Sequence, residues 1–272
     1  MATPLGHLGD VSARALAILR SVSLVACEDT RRTSHLLVTH DITTPTTSYF
    51  EHNERTKGQR ILEALRAGRD VALVSDAGTP GVSDPGFRLV RDARAEGLPV
   101  VPVPGPSAAV AALSVSGLPT DRFVFAGFLP PRVSARRRDI SELVKLPYTL
   151  VLYESPKRIL DSLSDLAAAF GDRDAFLARE MTKLHEEYVR GRLLEIRDRL
   201  AERDAIKGEI VLVVAGAMPA PAEPSETPEA LYARLVEAGK TRREAVKEAA
   251  RRLGLPAREV YRRVLEPRDS KS

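Results

Sequence analysis

Val71-Ala72-Leu73-Val74-Ser75-Asp76-Ala77-Gly78-Thr79-Pro80-Gly81-Val82-Ser83-Asp84-Pro85-Gly86 is the stretch on which the fold turns. Its first four residues form an apolar, strand-like run, and nearly all the rest are small or turn-forming. The segment therefore reads as a buried strand opening directly into a loop. In open α/β sheets, ligands bind in the crevice outside the carboxyl ends of strands. Gly78 and Gly81 let main chain approach a ligand closely, and Asp76 offers a fixed acceptor for hydroxyl or amino donors. The same composition suits a tight βα turn whose aspartate caps the next helix, and the loop alone leaves both readings open. Asp84-Pro85 reads as the N-cap and first position of that helix, with Gly97 ending it.

Outward from this segment, short β-branched runs alternate with amphipathic helical patterns, as expected of βαβ units on a mainly parallel sheet. The strand candidates are Leu24 to Cys27, Asp70 to Val74, Val100 to Val103, Phe123 to Phe128, Thr149 to Tyr153, Ala175 to Ala178 and Glu209 to Val214. Asp10 is expected to cap a helix carrying Val11, Ala15, Leu16 and Leu19. A second strand-to-helix loop, Val101 to Ala109, is rich in proline; its Ser107 suits a helix cap that also presents N–H groups to a ligand. Neither loop carries the glycine pattern of a dinucleotide fold or a P-loop.

Charged clusters recur at other strand ends: Glu28-Asp29-Thr30-Arg31-Arg32-Thr33, Glu154-Ser155-Pro156-Lys157-Arg158 and Arg179 to Glu187. One such cluster is ordinary surface salt bridging. Three at the same end of their strands would line a cleft with groups for proton transfer or substrate orientation. The outermost members, Arg32, Lys157 and Glu187, fit simple surface roles, and His185 alone carries little weight.

The chain of 272 residues suits two α/β domains, at 1–117 and 118–218, and a third part at 219–272. Gly117-Leu118-Pro119-Thr120 marks the first boundary. Pro219, Pro221, Pro224 and Pro228 mark a stiff extended linker before helical stretches around Ala230 to Glu237, Arg242 to Leu253 and Pro256 to Leu265. No apolar run reaches the roughly 20 residues of a membrane helix, and a cytoplasmic enzyme is the default expectation. With Cys27 as the sole cysteine, no intrachain disulfide or cysteine-based zinc site is possible, and no metal is expected. Of 41 Lys and Arg and 37 acidic residues, 29 of each fall in residues 1–224, so the whole formal excess of +4 lies in the tail. That is where a polyanion would be felt.

Read in order, Ala2 to Asp10, the Glu-Asp-Thr-Arg at 28 to 31, Ser75 to Gly86, Pro104 to Ala108, Phe128-Leu129-Pro130, Tyr153 to Pro156, Arg179 to Glu186 and Lys207-Gly208-Glu209 resemble the ribosomal RNA small subunit methyltransferase I family. This is the 2′-O-methylating branch of the tetrapyrrole methylase superfamily, and the resemblance spans nearly the whole chain. It implies two α/β domains with S-adenosylmethionine in the cleft between them, a homodimer, and methylation of a cytidine ribose in 16S RNA of the 30S subunit. It also implies cofactor contacts from Asp76, Gly78, Thr79, Pro80, Ser107 and Ala108 in the first domain, and from Tyr153, Glu154, Met181 and Gly208 in the second. Two departures stand out. Family members carry a hydrophobic strand just before Ala2, which suggests a misassigned start codon or a shortened chain here, and His7 replaces a usual Asn.

A ribose hydroxyl is a poor nucleophile, so methyl transfer calls for alignment with the methyl donor and a nearby proton acceptor. The candidates are Glu28, Asp29, Glu154 and Glu180, with Lys183 and Arg31 holding phosphate or stabilising a developing alkoxide. RNA contact is expected from Arg132, Arg136, Arg137 and Arg138, and from Arg262 and Arg263 in the tail, where Pro256 to Arg263 resembles the second helix of a helix-turn-helix. A C-methyltransferase acting on a tetrapyrrole uses the same scaffold, and a non-catalytic ribosome-assembly factor would keep the fold without binding the cofactor.

Overall fold

Leu24–Cys27 is buried from its second residue onward, as a strand covered on both faces should be, and it organises the first half of the chain. In the computed structural model, which describes residues 1–217 and 227–265, that strand (β1) lies between β2 (Thr46–Ser48) and β3 (Val71–Leu73), all parallel. Val25, Cys27, Ala72 and Val74 pack on one face with Leu19 and Leu37, from α1 (Ala13–Ser21) and α2 (Thr30–Thr39). Ala26 packs on the other face with Ile61, Leu62 and Leu89, from α3 (Glu54–Arg66) and α4 (Phe87–Ala95).

Several local expectations change. Helix α1 is capped by Ser12, whose hydroxyl accepts from Ala15 N at 3.1 Å, two residues beyond the expected Asp10. Helix α4 begins at Phe87 with Gly86 as its cap residue, because the chain from Ser83 to Gly86 runs at positive φ at both ends and cannot start a helix at Asp84. The expected strand Val100 to Val103 forms no ladder among the described residues. Its carbonyls are taken by guanidinium groups and by the N-terminal segment: Val100 O by Arg94, Pro102 O by Arg14 and Val103 O by Ala2 N. Met1 to Thr3 lies alongside β3, with the Met1 ammonium donating to Leu73 O at 2.9 Å and Thr3 bridging Gly78.

The second sheet has the order β4-β5-β8-β6-β7, formed by β4 (Phe123–Phe128), β5 (Thr149–Glu154), β6 (Asp174–Arg179), β7 (Glu187–Arg192) and β8 (Ile210–Val214). Only β4 and β5 are parallel; the other pairings are antiparallel, so the mainly parallel expectation holds for the first sheet alone. One face packs against α6 (Val133–Leu143), α7 (Ile159–Phe170) and α8 (Leu193–Ala201), burying Leu150, Leu152, Leu177 and Leu212. The other face, with Val151, Phe176, Val211 and Val213, receives Ala109, Ala112 and Leu113 of α5 (Ala108–Val115). Helix α5 thus follows the first sheet in sequence and packs on the second, and both sheets belong to one compact unit, Met1–Ala217.

The second unit, Met218–Ser272, contains α9 (Pro228–Glu237), α10 (Arg242–Leu253) and α11 (Ala257–Leu265) around Leu231, Leu235, Val246 and Val260. Pro219, Pro221 and Pro224 of the expected linker lie outside the described residues, whereas Pro228 is the first residue of α9 behind the Thr227 cap. A reciprocal Thr241–Glu244 capping box starts α10, and Gly254 ends it in the left-handed conformation. Among the described residues, no helix is long and apolar enough to cross a membrane.

Candidate active site

The carboxyl ends of β1, β3, β4, β5 and β6 and the amino end of antiparallel β8 converge on one cavity of about 360 Å³, within the ordinary range of a small-molecule site. The strands deliver to it the residues at or just beyond these ends: Glu28, Asp76 to Thr79, Phe128, Ser155 and Pro156, Met181, and, ahead of β8, Gly208 with Glu209.

The loop after β3 is held from several sides. Gly78 and Gly81 run at φ +78° and +80°. Thr3 Oγ1 donates to Ser75 O at 2.9 Å, and Thr79 Oγ1 donates to Pro106 O at 3.2 Å, joining this loop to the one that leads into α5. Asp76 accepts from Asp29 N at 2.9 Å and faces Arg32 at 3.6 Å. It therefore fastens the loop to the start of α2 and caps no helix after its own strand, contrary to the helix-cap reading of this turn. Ser107 stands at the N-cap of α5 without a side-chain cap bond and borders the cavity.

Asp76, Gly78, Thr79, Ser107, Ala108, Tyr153, Glu154, Met181 and Gly208 all border the cavity, and Pro80 does not. Of the candidate proton acceptors, only Glu28 and Glu154 line it. Both oxygens of buried Glu154 are engaged: Oε1 by Ser155 N at 2.6 Å and Arg158 at 2.8 Å, Oε2 by the Ser162 hydroxyl at 2.5 Å. Asp29 caps α2 and is gripped by the guanidinium of Arg31, whose hydrogen bonds hold its carboxyl down to about 2. Glu180 Oε1 accepts from Lys183 Nζ and Glu209 N, both at 2.9 Å, and Lys183 also pairs with Glu209 at 3.1 Å. These three carboxylates hold the walls together, and Lys183 and Arg31 spend their charge on them.

Gly208 is tied to that arrangement. It runs at φ +95°, and a side-chain carbon there would lie 2.5 Å from Glu180 Cδ. Glu180 and Thr182 themselves sit at φ +52° and +62°, uncommon for residues with side chains, in the turn that carries Met181 to the cavity. Thr182 Oγ1 accepts from His7 N at 3.1 Å, and His7 Nδ1 accepts from Gly9 N at 3.2 Å, so histidine serves in a local turn.

Asp84 is the site residue that helix-cap reasoning misassigned. It is half-buried and lines the cavity; burial first, then the charge of Glu28, pushes its carboxyl up to about 6. Glu28 is raised too, by burial and then by Asp76. Leu5, Val82 and Glu209 also line the cavity. The small-residue motif signalled the loop as a whole, but nothing in it distinguished a cap from a cavity wall at Asp84.

The arginine run divides. Arg136 is 3% exposed and paired to Asp165 at 2.7 Å, so it is a structural ion pair and not the surface group expected. One α-helical residue every 100° turns its neighbours outward: Arg132, Arg137 and Arg138 are exposed, although Arg137 also reaches Asp165 at 2.8 Å. In the helical unit, Arg262 and Arg263 are exposed, the latter paired with Glu259.

Residues 2–197 match the family profile of Tetrapyrrole (Corrin/Porphyrin) Methylases. The ribosomal RNA small subunit methyltransferase I of Mesorhizobium japonicum is 45% identical over 271 residues, covering 99% of this chain and 92% of that protein. The chain belongs to the ribosomal RNA small subunit methyltransferase I family. The Pseudomonas aeruginosa member is 50% identical over 218 residues, covering 79% of this chain and 77% of its own length. Solved structures outside the family share the fold. A cobalt precorrin-4 methyltransferase superposes with TM-score 0.59 at 15% identity, covering 78% of this chain and 92% of its own, and diphthine synthase gives 0.59 at 18%, covering 78% and 87%. At these identities the likeness concerns architecture alone.

Proposed function

We propose that this methyltransferase moves a methyl group from S-adenosylmethionine to the ribose 2′-hydroxyl of a cytidine in 16S ribosomal RNA. The observation that carries the reading is the cavity at the strand ends, bordered by every family motif and found in a chain that matches ribosomal RNA methyltransferases along almost its whole length. The residues suit the cofactor. Asp76 and Glu28 give the cavity a negative lining for a sulfonium cation, while Leu5, Ile210 and Val211 offer apolar walls for a planar base. Asp76, Gly78, Thr79, Ser107 and Ala108 would hold it from one lobe, and Tyr153, Met181 and Gly208 from the other. When bound, the cofactor supplies a methyl carbon activated by its sulfonium.

The protein's task is then alignment and exclusion of water. The Thr79–Pro106 and His7–Thr182 hydrogen bonds fix the loops on either side. Arg132, Arg137 and Arg138, with Arg262 and Arg263 of the helical unit, are the proposed phosphate contacts; Arg136 drops out because it is buried. A cytoplasmic homodimer acting on the 30S subunit completes the proposal, with light scattering as the check on the dimer. Incubation with labelled cofactor and 30S particles, followed by mapping of the modified nucleotide, tests the reaction. A labelled base carbon or nitrogen in place of a ribose oxygen would overturn it.

A further inference from the structure

We infer that Asp84 is the group that accepts the proton of the substrate hydroxyl during methyl transfer, with Glu28 tuning it. This rests on the reading that the acceptor is a ribose oxygen. Six carboxylates stand in or beside the cavity: Glu28, Asp76, Asp84, Glu154, Glu180 and Glu209. Asp76 is committed to Asp29 N and Arg32, Glu154 to Ser155, Arg158 and Ser162, and Glu180 to Lys183 and Glu209 N. Glu209 pairs with Lys183 and stands 61% exposed, where water screens it. Glu28 and Asp84 remain.

The two differ in their surroundings. Glu28 has Arg32 close enough to hold its charge, which offsets part of the effect of burial and Asp76. Asp84 faces Glu28, Asp76 and Glu209, three negative groups from three elements, together with the Ser75 hydroxyl and the Tyr153 ring; Arg32 is the one cation bordering the same cavity. A carboxylate buried among like charges binds a proton more strongly than an ordinary one, and with its carboxyl near 6 it is still mostly ionised at neutral pH. That combination suits a general base, whose proton affinity should lie close to the working pH. In the step, the hydroxyl proton passes to Asp84 while the oxygen lone pair forms the new bond to the methyl carbon. The carbon–sulfur pair returns to sulfur, leaving a neutral thioether, and the proton then leaves to solvent.

The test compares initial methylation rates on 30S particles from pH 5 to 9, at saturating S-adenosylmethionine, for the native chain, Asp84→Asn, Asp84→Glu and Glu28→Gln. Calorimetric cofactor affinity is measured on each, which also reports folding. The native rate is expected to rise with pH through a limb near 6. Asp84→Asn should lose on the order of 10²–10⁴-fold in rate and lose the limb, with cofactor affinity within about threefold. Asp84→Glu should recover part of the rate and the limb. Glu28→Gln should move the limb to lower pH, because removing its charge eases ionisation of Asp84. A limb that survives in Asp84→Asn and vanishes in Glu28→Gln overturns the assignment. So does a rate loss in Asp84→Asn that higher cofactor concentration restores, since that makes Asp84 a cofactor contact. Failure of the native chain to label a ribose oxygen counts against the parent reading instead, and is seen before any variant is made.

Discussion

Gly208→Ala offers a direct measure of how tightly the cavity wall is built. Two costs are expected. At φ +95° any side chain is strained, by roughly 1–2 kcal/mol on the scale of left-handed conformations of L-residues. The added carbon would also lie 2.5 Å from Glu180 Cδ and 2.6 Å from Glu180 Oε1, so the Glu180 side chain must leave. Its departure strands Lys183 and Glu209 N, which both bind Oε1 at 2.9 Å, and losing charge-assisted bonds of this kind costs about 1.5–3 kcal/mol. The sum is about 2.5–5 kcal/mol, or a fall in Tm of roughly 5–20 °C for a unit of this size. Gly97→Ala is the control, because Gly97 shares the positive φ, at +73°, with nothing within 4 Å of an added carbon. It should show only the backbone part. Calorimetric unfolding of Gly208→Ala, Glu180→Ala and the double variant then isolates the collision. Truncating Glu180 relieves it, so the double variant should lose less than the two single variants together, by about 1.5 kcal/mol or more. Additive losses, or a Gly208→Ala Tm no lower than that of Gly97→Ala, would refute the reasoning.

Other consequences are open to similar checks. Arg136→Ala leaves Asp165 buried beside Arg137 alone and should cost about 3–5 kcal/mol in thermal unfolding. Arg137→Ala, at a side chain 68% exposed, should cost about 1 kcal/mol or less, whereas charge reversal at Arg137 and Arg138 should weaken RNA binding most at low salt. Arg203 and Arg179 hold the Glu187 carboxyl down to about 2, so its contribution is present above the ordinary carboxyl range and lost as pH falls through 2. Glu187→Gln should therefore lower Tm at pH 7, and its deficit should shrink between pH 4.5 and 2. Asp84 has the opposite sign: its raised carboxyl favours the fold below about pH 4 and loses that advantage as pH rises through 6. Asp84→Asn should raise Tm at pH 8 and change it little at pH 4, even as it slows methyl transfer.

Where the apolar signal is strong, the chain declares its own structure. Leu24 to Cys27 and Phe123 to Phe128 coincide with β1 and β4 because each is a short unbroken apolar run. Thr46–Ser48 carries no such run, since β2 is three residues long with no side chain fully buried, and β7 is a polar edge strand with Val189 as its one buried residue. Neither could be seen from composition. The reversal of β8 was hidden for a different reason: a strand buried on both faces looks alike in either direction, and its pairing depends on partners distant in sequence. At the cavity, motifs located the loops but not the commitments of their side chains. Glu154 and Glu28 both follow apolar strands, yet Ser162 on α7 and Arg158 occupy the first and not the second. Asp84 was misread because Asp-Pro is a strong helix-start signal, which Gly86 overrides at φ +141°, outside the helical region, in what would be the first turn.

The position of α5 bears on how this protein can be taken apart. A polypeptide beginning at residue 118 would contain every strand of the second sheet and still lack Ala109, Ala112 and Leu113, which cover Val151, Phe176, Val211 and Val213. Such a fragment would present a bare apolar sheet face to solvent and should precipitate or self-associate during expression. Starting near residue 105 keeps the cover in place. Eight helical residues that belong to one lobe by order and to the other by packing act as a dowel between them.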